Sequence, residues 1–164
     1  AARLPAGCLR RKFGFQKLPD HDKRIWFKTK LEVDNGVRSV RGGMIRGSDI
    51  DPAAVKKTRN NNARLPGGDE LRVKTCDFRD LGELKPGLIV CNPPYGVRLQ
   101  KGEDLGPLMK DFGDFLKQKC QGSRAFVYFG EPELIKSVGL KTKQRIPLRN
   151  GGLDGRLVHY ELFW

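Results

Sequence analysis

Apolar and polar positions alternate in two distinct registers along this chain, and the change from one to the other marks its elements. From Met44 the pattern is regular. Met44-Ile45-Arg46-Gly47-Ser48-Asp49 reads as a strand ending in an acid. Residues 52–65 predict a helix with Pro52 in the first turn and Ala53, Ala54, Val55 and Ala63 as apolar contacts. Pro66-Gly67-Gly68 stops it. Residues 71–75 predict a second strand, ending at Cys76-Asp77-Phe78, and residues 88–91 a third. Leu105, Leu108, Met109, Phe112, Phe115 and Leu116 recur at spacings of three and four, which predicts a helix over 105–119. A fourth strand over 125–129 and a short helix over 132–138 follow. Residues 143–148 and 157–163 predict a closing antiparallel pair, joined across Asn150 to Gly155.

The first forty residues are patterned differently. Residues 1–18 are basic and lack helical periodicity. Residues 21–33 predict an amphipathic helix with Ile25, Trp26, Leu31 and Val33 as its apolar points. Asp20 is its expected N-cap, because a side-chain oxygen there accepts from the free N–H groups of the first turn. Asn35-Gly36 ends it. The expectation is one domain, with an irregular and helical lead-in over 1–40 and a strand–helix core over 41–164. Alternating strands and helices imply an α/β fold, with a mostly parallel sheet, helices on both faces and a C-terminal antiparallel hairpin.

Composition narrows the partner. Lys and Arg number 32 against 19 acids, a net charge of +13 in 164 residues. That excess favours a polyanion, nucleic acid ahead of a membrane surface. Any one basic cluster, such as Arg10-Arg11-Lys12, also fits a solvated face. No apolar run approaches the ~20 residues of a membrane span. The four cysteines form no CxxC pair and only two histidines are present, so no zinc site is legible. Free thiols suggest a reducing, cytoplasmic compartment.

The candidate chemistry lies at strand ends. In open α/β sheets ligands bind outside the carboxyl ends of the strands. Three successive predicted strands end in Asp49, Asp77 and Asn92. Asp49 could bind ribose hydroxyls or simply face the N-terminus of the next helix; Asp51, just before Pro52, is the natural cap. Asp77 could equally be a loop acid. After the third strand comes Asn92-Pro93-Pro94-Tyr95. Asn-Pro is a common turn signal. It also suits a site that holds the exocyclic amine of a base, which presents two N–H donors. Asn92 offers a side-chain carbonyl and Pro93 a backbone carbonyl, while neither proline brings a competing N–H. Tyr95 offers a face for stacking.

These segments resemble a known family. Gly47-Ser48-Asp49-Ile50-Asp51-Pro52, Cys76-Asp77-Phe78 and Cys91-Asn92-Pro93-Pro94-Tyr95-Gly96-Val97-Arg98-Leu99 are similar to those of S-adenosylmethionine-dependent amino methyltransferases. The nearest resemblance is to the bacterial guanine-N2 methyltransferases of 23S ribosomal RNA, a group also labelled N6-adenine-specific DNA methylases. Lys12-Phe13-Gly14-Phe15, His21-Asp22-Lys23-Arg24-Ile25-Trp26 and Asn150-Gly151-Gly152-Leu153-Asp154 extend it over nearly the whole chain. The resemblance implies a Rossmann-like class I fold and S-adenosylmethionine as cofactor. It implies that Asp49 binds the cofactor ribose and Ile50 packs on its adenine. Asp77 would accept from the adenine amine, with Phe78 alongside. Asn92 and Pro93, stiffened by Pro94, would hold the target amine, and Tyr95 would stack on the target base. No metal is implied.

One motif of that family is not found: a first strand followed by an acidic, glycine-rich turn that cradles the methionine part of the cofactor. The expectation is a C-terminal part of a catalytic domain whose first strand and N-terminal partner segment belong to the same polypeptide, and weak or no cofactor binding by the chain alone. Two other functions fit the same residues, an N6-adenine DNA methylase and a non-catalytic nucleic-acid-binding remnant.

Overall fold

The computed structural model describes residues 2–94 and 104–163. The chain divides into two compact units, Ala1–Cys76 and Asp77–Trp164.

In the first unit a 3-10 turn, Gly14–Lys17, precedes helix α1, Lys23–Asn35. The helix begins two residues later than the sequence predicts. Asp22, not Asp20, is its cap, and its carboxylate accepts from the N–H groups of Arg24 and Ile25 at 2.7 and 3.4 Å. The lead-in is held by aromatic contacts: Trp26 packs against Phe13 and Phe15 with centroids 5.4 and 5.0 Å apart. Trp26 is therefore half-buried, while the expected apolar points Ile25, Leu31 and Val33 are exposed.

Strand β1 (Arg46–Asp49) and strand β2 (Arg72–Thr75) pair in parallel, Asp49 opposite Thr75. Between them runs helix α2, Pro52–Asn62. Asp51 caps it through Ala53 N–H at 2.8 Å, and Pro52 starts it with a pre-set φ. The helix stops three residues short of the predicted end. Gly68 lies so close to Asn62 that a Cβ would meet its carbonyl oxygen, and the chain must turn away there. Val40 and Val55 are this unit's buried hydrophobic side chains among the described residues.

The second unit holds a four-stranded sheet of order β3-β4-β6-β5. Its strands are β3 (Leu88–Cys91), β4 (Arg124–Phe129), β5 (Gln144–Asn150) and β6 (Leu153–Glu161). Helix α3, Gly106–Lys119, links β3 to β4, which pair in parallel. β6 runs antiparallel to both β4 and β5. The closing hairpin is longer and its loop tighter than expected: Gly151, at φ 60°, and Gly152 alone turn the chain. Met109, Phe112, Phe115 and Leu116 of α3 are buried against Val127, Phe129, Val158 and Tyr160, as the spacing of three and four predicts.

The strands lie in two sheets. Among the described residues β1 pairs only with β2, and β3 only with β4. One face of β3 is covered and the other is open: Ile89 and Cys91 face the core, but Leu88 and Val90 are 67% and 74% exposed. The apolar run encodes a strand without saying whether both of its faces are covered.

Candidate active site

The C-terminal end of β1 carries Asp49. Its Oδ1 accepts the N–H of Asp51 at 2.9 Å, an Asx turn that carries the chain from strand to helix. Oδ2 enters no hydrogen bond or ion pair among the described residues. Cys76 N–H donates to the Asp49 carbonyl at 2.9 Å, so the parallel ladder continues to this point and fixes the backbone. Beside it Ile50 is 67% exposed. A carboxylate oxygen with spare acceptor capacity next to an exposed β-branched surface can hold vicinal hydroxyls and cover one face of a flat ring.

Asp77, the second predicted residue, is an N-cap. Its Oδ1 accepts Arg79 N–H at 2.9 Å and starts the 3-10 turn Phe78–Asp80. The same carboxylate is clasped by the Arg79 side chain, with Nη2 to Oδ2 at 2.7 Å and Nε to Oδ1 at 3.1 Å. Arg79 Nη1 then reaches Asp111 Oδ2 on α3 at 3.2 Å. The Arg79 side chain, then its backbone N–H, hold the Asp77 carboxyl below its ordinary range. Arg79 also lies over the Phe78 ring, 5.5 Å from its centroid. Phe78 packs edge-on against Phe112 and Phe115, both at 5.6 Å. Its ring is half-buried and anchored to the core. Arg79 and Asp111 escape a reading of the sequence because they are 32 residues apart, although a basic residue two places after a strand-end acid is a signal worth following.

Asn92, Pro93 and Pro94 follow β3, with Asn92 and Pro94 exposed and Pro93 buried. Parallel pairing holds β3 through Cys91, opposite Val127, immediately before Asn92. Burial pushes the Cys91 thiol up to about 11, so that residue serves as packing and not as a nucleophile. Tyr95 lies outside the described residues, as do Gly96 to Leu99. The described residues hold no group of three or more His, Cys, Asp or Glu able to bind a metal, and no helix long and apolar enough to cross a membrane.

Comparison with known proteins gives these strand ends a context. Residues 2–159 match the UPF0020 family model, described as an RMKL-like methyltransferase domain. A Synechocystis protein provisionally named RNA methyltransferase slr0064 is 35% identical over 152 residues, which are 92% of this chain and 40% of that protein. The Allochromatium vinosum ribosomal RNA large subunit methyltransferase K/L is 33% identical over 174 residues, 99% of this chain and 23% of the relative. The chain thus spans well under half the length of these curated relatives. Among solved structures SMU.472, named provisionally as a methyltransferase and complexed with SAH, superposes with a TM-score of 0.79 at 22% identity. That match covers 94% of this chain and 41% of the other. It establishes the fold as Rossmann-like, with the C-terminal antiparallel strands in place.

Proposed function

The chain belongs to the UPF0020 family of RMKL-like methyltransferase domains, and we propose that it forms the C-terminal part of a catalytic domain that methylates the exocyclic N2 amine of a guanine in large-subunit ribosomal RNA, with S-adenosylmethionine as donor. The carrying observation is that Asn92-Pro93-Pro94 leaves the carboxyl end of a parallel strand with the amide side chain exposed and Pro93 packed. The relatives named for ribosomal RNA support the choice of polymer. RNA binding, a role in rRNA processing and a cytoplasmic location belong to the same proposal.

The chain's residues fit the cofactor at one point and strain against it at another. Asp49, with Oδ2 uncommitted, would accept from the ribose hydroxyls, and exposed Ile50 would cover the adenine. Asp77 would accept from the adenine amine in competition with Arg79, which donates to both carboxylate oxygens. The cofactor supplies an electrophilic methyl on a sulfonium. The side-chain carbonyl of Asn92 and the backbone carbonyl of Pro93 would accept the two N–H groups of the target amine. That fixes its nitrogen for in-line attack, and Tyr95 would stack on the base. Positioning of this kind carries the rate, since the donor is already activated. A paired guanine must leave its stack to reach such a loop, which costs least in a loop or bulge.

The test is product identity. The full gene product is incubated with 23S ribosomal RNA and methyl-labelled cofactor, and the RNA is digested to nucleosides. N2-methylguanosine is expected. Label in N6-methyladenosine, or transfer to DNA in preference to RNA, overturns the assignment of the target.

A further inference from the structure

Four cationic side chains of the first unit border one open cleft that none of the catalytic assignments uses. Its volume is about 930 Å³, and Arg46, Arg59, Arg72 and Lys74 line it. The sheet explains their convergence. Arg46 and Arg72 are register partners on adjacent parallel strands, and Ser48 is the partner of Lys74. Partners in a parallel pair face the same way, and side chains two apart share a face. Arg46, Arg72 and Lys74 therefore rise from one face, with Lys74 roughly 6–7 Å further along β2 than Arg72. Arg59 reaches in from α2.

Their guanidinium groups are oriented by backbone. Arg59 donates Nε and Nη2 to the Val73 carbonyl at 3.0 and 2.6 Å. Arg46 Nε donates to the Gly43 carbonyl at 3.0 Å. A Cβ on Gly43 would lie 3.8 Å from Arg46 Nη2 and 4.0 Å from Arg72 Cγ, so both side chains flank the same bare stretch of backbone. None of the four is in an ion pair with a carboxylate among the described residues. Asp69 lines the cleft, and its backbone carbonyl accepts from Arg72 Nη1 at 3.5 Å, while its carboxylate is in no ion pair with the four among the described residues. A solvated basic face has mobile side chains balanced by nearby acids. This one has two guanidinium planes pinned by backbone carbonyls and none of its four cations in an ion pair among the described residues.

We propose that this cleft binds the phosphodiester backbone of the RNA substrate, outside the strand-end residues that handle cofactor and target base. Arginine forks match phosphate oxygens bidentately, and fixing their planes beforehand lowers the ordering cost of each contact. An open cleft with cations spread along a strand suits successive phosphates of a polymer rather than a single small anion. The choice of RNA as the polymer rests on the proposed ribosomal RNA activity. Phosphate contacts position the substrate and carry no sequence preference.

The test is fluorescence polarisation of the full gene product with a labelled RNA hairpin across a KCl series. R46Q/R72Q is compared with K23Q/K28Q, an equal loss of charge on exposed residues of α1. The cleft variant is expected to bind at least tenfold more weakly. Its log K against log[KCl] slope should flatten by about 1.4–1.8, the value for two lost phosphate contacts. The α1 variant should keep the wild-type slope. K74E, at a side chain without a hydrogen bond, serves as a second probe and should weaken binding even if R46Q/R72Q fails to fold. Equal losses in the two double variants, an unchanged K74E, or a wild-type chain without salt-dependent RNA binding overturns the proposal. The two proposals fail separately. RNA binding that depends on the cleft, with no guanine methylation by the full gene product, sinks the reaction and leaves the cleft. Methylation with cleft variants that bind RNA as the wild type does sinks the cleft alone.

Discussion

Arg79 holds both carboxylate oxygens of Asp77, with Nη2 at 2.7 Å from Oδ2 and Nε at 3.1 Å from Oδ1. The clasp gives Asp77 a structural duty, as cap and anion, in addition to the role proposed for it. If Asp77 accepts from the cofactor adenine, Arg79 is its competitor, and Asp111 is the carboxylate to which Arg79 can turn. Partly exposed ion pairs are screened by solvent and hold weakly. Arg79→Gln in the full gene product should therefore tighten cofactor binding by up to about fivefold, read by calorimetry. A loss of affinity would assign Arg79 itself to the adenine pocket.

The same pair sets an acid limb. Arg79 lowers the folded-state pKa of Asp77, and Arg156 and Lys110 do so for Asp154 and Asp114. A depressed folded pKa gives stability that is fully present above the unfolded value near 4 and is lost as pH falls through the folded value. Urea midpoints should be flat from pH 7 to 5 and fall below about pH 4. Asp77→Asn should be less stable than the wild type at pH 7 and show a shallower fall. An identical slope in the variant would mean that the clasp is absent in solution.

Helix α3 approaches the 3-10 helix Pro132–Val138 at Gly113, where a Cβ would sit 1.8 Å from the Val138 carbonyl oxygen. A backbone atom cannot swing aside as a side-chain end can. Gly113→Ala should cost at least about 2–3 kcal/mol in urea unfolding, at the upper end for overpacked cores. A cost under about 0.5 kcal/mol would place the two helices further apart than described.

Thiol reactivity separates the cysteines. Burial pushes Cys91 and Cys120 up to about 11, while Cys8 is exposed. At pH 8 the two buried thiols are thiolate at only about one part in a thousand. Native protein should show fast modification at Cys8 and protection of Cys91 and Cys120 until denaturant is added, followed by mass spectrometry of peptides. Early labelling of Cys120 would contradict a closed core around β4 and β6.

What the sequence revealed and what it hid follow from the range of the interactions. The α3 core face was legible because residues three and four apart share a side of a helix whatever surrounds it. Residues 88–91 were legible as a strand, but not the exposure of Leu88 and Val90, which depends on partners distant in the chain. The start of α1 was misplaced because Asp20 and Asp22 are both good caps, and the packing of Phe13 and Phe15 on Trp26 selects the second. Asp49, Asp77 and Asn92 were visible as strand-end polar groups, since a strand followed by a turn announces itself locally. The link from Arg79 on to Asp111 was not, because Asp111 enters from a helix 32 residues away. The basic cleft was hidden for the same reason: Arg46 and Arg72 become neighbours only through parallel register.

Asn92 distinguishes the proposed chemistry from a rigid turn. A turn needs its φ angles, which Pro93 and Pro94 fix regardless of the preceding side chain. An amine clamp needs the acceptor oxygen. Asn92→Ala in the full gene product keeps the prolines and deletes the acceptor, so it should lower kcat by about 10²-fold or more while cofactor binding stays within about twofold. Asn92→Asp retains acceptor oxygens and removes the amide N–H, so it should keep more activity than Asn92→Ala if acceptance is the role. Single-turnover transfer to 23S ribosomal RNA measures both, with calorimetry for the cofactor. Equal activity of the alanine variant and the wild type would return this segment to a plain strand exit. Equal loss in the alanine and aspartate variants would mean that the amide N–H, not its carbonyl, contacts the substrate.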